Sequence, residues 1–122
     1  MGAALVCLGC SATARVPTLG IGPYAAAPPA IFHDAVRGAG LVGYQPSDLD
    51  EVHGRFQLLA RADRTGHTRF AVQCTSDGWI VVRPEGGGVG HTPDGYVLRN
   101  AVAAEYARLV VNLETVMPVT SP

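Results

Sequence analysis

An α+β domain is what this sequence predicts, and three observations predict it. Residues 52–84 alternate apolar and polar side chains in runs separated by turn signals, the pattern of half-buried strands. Residues 96–117 carry an apolar stripe at three- and four-residue steps, and a shorter stretch near 30–38 repeats that helical spacing behind two prolines. The expected architecture has two layers: a three-stranded antiparallel meander packed against a C-terminal helix and a shorter N-terminal helix. The chain has 122 residues, a length that supports one core. The boundaries that follow are an apolar segment or truncated export signal at 1–10, a linker or arm at 11–29, one domain at 30–117 and a tail at 118–122.

Residues 11–29, "SATARVPTLGIGPYAAAPP", are rich in Ala, Gly and Pro without a sustained period, which reads as a tether. In "PPAIFHDAVRGAGLVGY" the prolines suit the first helical positions, and Phe32, Ala35, Val36 and Ala39 recur at helical spacing. The glycines at 38 and 40 predict an end near Gly38, and Leu41 to Tyr44 is expected to be a short strand. "SDLDEVH" reads as a capped turn opened by Ser47. "EVHGRFQLLARA" then sets Val52, Gly54, Phe56, Leu58 and Ala60 on one parity, with Leu59 as the exception, and "TRFAVQCT" repeats the alternation. Asp77-Gly78 predicts a type I′ hairpin turn into a third strand, "WIVVR". The final helix is expected to run from "YVLRNAVAAEY" until Pro118 stops it, its stripe formed by Leu98, Val102, Tyr106, Leu109, Leu113 and Val116. Phe56, Leu58, Phe70, Val72, Val102, Leu109 and Leu113 are the expected core.

Composition narrows the function classes. Charged residues make up 16% of the chain and the formal net charge is -1, so neither a disordered tail nor a nucleic-acid binder is indicated. All nine basic residues are arginines, scattered from Arg15 to Arg108 without a basic run. No stretch reaches the roughly 18–20 apolar residues that a membrane-spanning helix requires. Three cysteines do not allow an all-paired disulfide framework, and Cys74, in a strand-like segment, reads as a buried free thiol.

Four groups of residues could carry function. In "CLGC", Cys7 and Cys10 have the spacing of a metal or redox pair, but a zinc site needs a second pair of ligands, and the histidines at 33, 53, 67 and 91 are dispersed. A redox pair of the thioredoxin kind should follow a strand, and only six residues precede this one. The surrounding "VCLGCSA" resembles the lipobox of bacterial lipoproteins, Gly9 and Cys10 matching its small residue and its lipidated cysteine. The resemblance implies diacylation of Cys10, and Ser11 behind it resembles an outer-membrane sorting residue, which implies a cell-envelope location facing the periplasm. An ordinary apolar segment packed on the domain is the competing reading.

"RPEGGGVGHTPDG" is a Gly-rich connection expected between a strand and a helix, in which the backbone of Gly86, Gly87, Gly88, Gly90 and His91 could hold an anion. It lacks the Lys-Ser/Thr of a P-loop, and a plain connection is the alternative. Asp48, Asp50, Glu51 and His53 lie close in sequence, which suits capping and dipole roles better than a metal site. Trp79 beside the turn reads as packing. The function expected is therefore a small lipid-anchored envelope protein with a non-enzymatic binding or scaffolding role, attached to a membrane through Cys10 and meeting a protein partner, with no cofactor and no nucleic acid. The alternative is a cytosolic domain that binds an anionic ligand through residues 86–90.

Overall fold

The computed structural model describes residues 12–118. Among these residues it is an α+β fold of two helices and two antiparallel sheets. In chain order the strands are β1 (Thr13–Pro17), β2 (Leu19–Ile21), β3 (Ser47–Asp50), β4 (Arg55–Leu59), β5 (Thr68–Cys74), β6 (Ile80–Gly86), β7 (Gly90–Thr92) and β8 (Gly95–Arg99). Helix α1 (Pro28–Leu41) lies between β2 and β3, and helix α2 (Asn100–Val116) follows β8. The five-stranded sheet has the order β2-β6-β5-β4-β3, and the three-stranded sheet has the order β1-β8-β7. The expected meander is the β4-β5-β6 portion of the larger sheet, in register through Phe56, Val72 and Val82.

All seven expected core residues are buried. The alternation that predicted the strands explains why. Phe56, Leu58, Phe70, Val72, Cys74, Ile80 and Val82 share the buried parity, whereas Arg55, Arg69 and Arg83 stand on the other. Phe32 of α1 meets Phe56 edge-on at 5.9 Å, and Tyr106 of α2 stacks on Phe70 at 5.8 Å. The helices approach each other at Gly38, where a Cβ atom would lie 2.9 Å from Leu113 Cδ1.

Five expectations require correction. Residues 11–29 are not a plain tether, because β1 pairs with β8 and β2 with β6. These strands are short, and their Gly and Pro content hides the alternation of Ala14 and Val16 against Thr13, Arg15 and Pro17. Helix α1 continues past Gly38 to Leu41, and no strand forms at Leu41 to Tyr44. The true terminator is Gly43, at φ +98°: its N–H donates to Gly40 O and that of Tyr44 to Ala39 O, the paired bonds of a Schellman cap. "SDLD" is a strand rather than a capped turn, and Val52, placed on the core parity, is 89% exposed in the turn that follows. The hairpin at Asp77-Gly78 is not type I′, since only Gly78 has positive φ; Thr75 and Trp79 close a three-residue loop with Gly78 as its left-handed residue. "YVLR" belongs to β8, so α2 starts at Asn100.

One side chain of α2 ties β2 to β6. The Leu19 N–H donates to the Tyr106 hydroxyl at 2.7 Å, and that hydroxyl donates to Val82 O at 2.5 Å. Leu19 and Val82 are register partners, so the hydroxyl stands between two backbone groups of adjacent strands. Burial pushes the Tyr106 phenol up to about 12. Tyr106→Phe is expected to cost about 1–3 kcal/mol, because an N–H and a carbonyl lose their shared partner. Hydrogen exchange should show β2 opening before β5 and β6; unchanged protection at Gly20 and Ile21 would mean that the bridge does not hold β2. Among the described residues no helix is long and apolar enough to cross a membrane.

Candidate functional site

The face of the five-stranded sheet opposite the buried parity carries a cleft of about 430 Å³. Ala71 provides its low floor, being the smallest side chain on that face of β5, with Gln57 of β4 on one side and Arg83 of β6 on the other. Gln73 and Arg55 extend the cleft along one row, and Glu85 extends it along β6.

The rim on β3 is irregular for a definable reason. Ser47 pairs with Gln57 and Asp50 with Arg55, so β3 uses one more residue than β4 between the same two rows. This bulge holds Asp48 at φ +51°, the one non-glycine residue with positive φ among those described. Aspartate tolerates this conformation better than most residues, and strain of this kind collects at functional sites. Asp48 lines the cleft and takes part in no ion pair or side-chain hydrogen bond among the described residues.

Asp50, its neighbour, is already engaged. Its Oδ2 lies 2.9 Å from His53 Nδ1 and 3.5 Å from Arg55 Nε, and hydrogen bonds from the His53 side chain and backbone hold its carboxyl below the usual carboxylate range. Gln57 is different. Its Oε1 is buried without a hydrogen-bond partner, the only such side-chain atom among the described residues. A buried acceptor without a donor costs about 1–3 kcal/mol relative to a satisfied one, and Gln57 is among the residues that line the cleft.

The structure scatters the residues singled out in the sequence. Cys7 and Cys10 lie outside the described residues. Gly86 to His91 do not connect a strand to a helix, because the β7–β8 hairpin intervenes before α2. Two of that loop's amides are committed, Gly87 N–H to His67 O and Val89 N–H to Gly86 O. His91 is exposed and sits edge-on to Tyr96 at 5.7 Å. Cys74 is buried and free, and burial pushes its thiol up to about 11, an unreactive condition. Trp79 is 39% exposed at the hairpin. No group of three or more His, Cys, Asp or Glu side chains among the described residues could hold a metal ion.

Sequence reading also missed Glu105, which lies off the apolar stripe predicted for the C-terminal helix. Glu105 is 5% exposed. Its Oε2 accepts from the Tyr44 hydroxyl at 2.5 Å and the Arg61 N–H at 2.7 Å, and its Oε1 accepts from the Ala62 N–H at 2.7 Å. Burial, and then the hydrogen bond to Glu105, pushes the Tyr44 phenol well above its ordinary value. Every hydrogen bond of this carboxylate is internal, so it fastens the β4–β5 turn and Tyr44 to α2.

No protein-family model matches the chain, and neither a curated protein nor a solved structure matches it significantly. The cleft is therefore weighed on its own geometry.

Proposed function

We propose that this protein is a non-enzymatic binding domain, held at a membrane through lipid on Cys10, whose recognition surface is the cleft on the polar face of the five-stranded sheet. In this reading the helices form one layer against the inner face, and the outer face is left for a partner. The unpartnered Gln57 amide carries the proposal, because a ligand donor over Ala71 would supply the bond the protein lacks. Catalysis has less support. Among the described residues that line the cleft there is no histidine or cysteine, and its Asp50 carboxyl is held low, away from the range useful to a general acid or base near neutral pH.

The anchor half rests on the Gly-Cys-Ser junction. Cys10 precedes Thr13, the first residue of β1, by three positions, about 10 Å of extended chain. Acyl chains on Cys10 would therefore hold β1 close to the bilayer, with each buried CH₂ contributing about 0.8 kcal/mol.

Each half has its own test. A nuclear magnetic resonance screen of small cationic, anionic and zwitterionic amides should shift Gln57, Ala71 and Gln73 together. Sulfate or phosphate shifting the Gly86 to Gly90 amides instead would replace the cleft with the anion-loop reading. For the anchor, intact mass of the natively expressed protein should show acylation lost in Cys10→Ser. A chain that carries no lipid and stays in the soluble fraction would end the membrane proposal and leave the cleft untouched.

A further inference from the structure

The charges around the cleft can be followed by register. Asp50 faces Arg55 across β3 and β4 and forms an ion pair with it. Arg69 faces Glu85 across β5 and β6, but the two form no ion pair. Three charged residues that line the cleft are thus without an ion pair among the described residues: Asp48 on the bulged edge, and Arg83 and Glu85 on β6, Arg83 standing opposite uncharged Ala71. Asp48 and Arg83 lie nearly across from each other, since Arg83 shares the row of Ala71 and Gln57, and Asp48 adjoins the residue that pairs with Gln57.

β3 and β6 are three strand spacings apart, or roughly 14 Å at about 4.8 Å each. An extended peptide advances about 3.4 Å per residue, so roughly four residues cover that span. Residues four apart on an extended chain also point to the same side.

On the reading that the cleft is a binding surface, we propose that its ligand is an extended segment of a partner protein lying across the strands. This segment carries a basic side chain over Asp48 and an acidic one over Arg83, four residues apart. Between them the segment passes over Ala71, where one of its N–H groups meets the Gln57 amide. The last torsion of a glutamine is soft, so a small rotation turns Oε1 from its buried position toward that donor. The bulge assists by presenting Asp48 at the rim while spoiling the edge of β3 for plain strand addition.

Short capped alanine-based peptides test the spacing, titrated at low salt and followed by shifts of Gln57 and Ala71. A peptide with Arg and Glu four residues apart should bind about threefold to tenfold more tightly than one with the same residues two apart, the range that one or two exposed ion pairs supply. Asp48→Asn, which keeps a side chain tolerant of positive φ, should erase that advantage. Arg83→Glu should transfer preference to a peptide with arginine at both positions. Equal binding of all spacings, or a preference that ignores both substitutions, would overturn the proposal. If the peptides fail while small amides still shift Gln57, Ala71 and Gln73, only the peptide inference falls. If neither shifts them, the binding reading falls with it.

Discussion

Glu105→Ala is expected to destabilise the fold by about 3 kcal/mol or more, the largest loss from any single polar side chain described. The substitution removes a carboxylate that accepts from the Arg61 and Ala62 N–H groups and from the Tyr44 hydroxyl, in a place where Glu105 is 5% exposed. Two backbone donors and a phenol would then lose their acceptor, which loosens the β4–β5 turn from α2. Glu105→Gln separates charge from shape. It retains one acceptor oxygen but sets an NH₂ group against an amide N–H, so its loss should be roughly half that of the alanine variant. Urea denaturation would give both values. The Tyr44 phenol provides a second reading: its titration should move down toward the ordinary value in Glu105→Ala, because the hydrogen bond that helps hold its proton is gone. An alanine variant within about 0.5 kcal/mol of the parent, the range of ordinary surface substitutions, would show that water replaces the carboxylate without penalty.

Glu105 also shows where the sequence stops being informative. The β4-β5-β6 meander and its core were legible because most inward residues are apolar and most outward ones are polar or small, with outward Leu59 and Val81 and inward Thr68 as the exceptions, so composition largely reports the face. The burial of Glu105 depends instead on Tyr44 and on the amides of residues 61 and 62, which reach it from distant parts of the chain. Tyr44 itself is aimed by the Schellman cap at Gly43, whereas the nearer glycines at 38 and 40 offered an earlier and equally plausible stop. Gly38 serves a different need, the close approach of α2 through Leu113. The cleft was hidden for a similar reason. Asp48 and Asp50 were noticed as a run of charge, but Arg83 and Gln57 join them only through strand order, and the bulge that bends β3 has no signature in "SDLD". "YVLR" was absorbed into the helix because Leu98 fits the helical stripe as well as it fits β8. Two periods met at one residue, and the longer pattern was preferred.

Gly86→Ala is the second large effect, and it bears on the loop once considered for anion binding. Gly86 closes the β5–β6 ladder opposite Thr68 at φ +117°, where side-chain-bearing residues are strained. A Cβ atom there would overlap the His67 carbonyl oxygen, a backbone atom that cannot swing aside and that also accepts the Gly87 N–H at 3.1 Å. Backbone strain and overpacking together should cost about 2–5 kcal/mol. At a thermal shift of roughly 2–8 °C per kcal/mol for domains near this size, the change is plain in a melting curve. Gly87→Ala is the matched control. Its added methyl would meet only His67 Cβ at 3.7 Å, an ordinary contact, and its φ lies outside the positive range, so stability should change by less than about 1 kcal/mol. The contrast discriminates between the two roles of the loop. Glycines kept for close backbone approach to an anion would leave the unliganded protein equally stable in both variants. Glycines required by the turn out of β6 make Gly86 alone critical. Equal melting temperatures for the two variants would refute the structural account and return the loop to the list of binding surfaces.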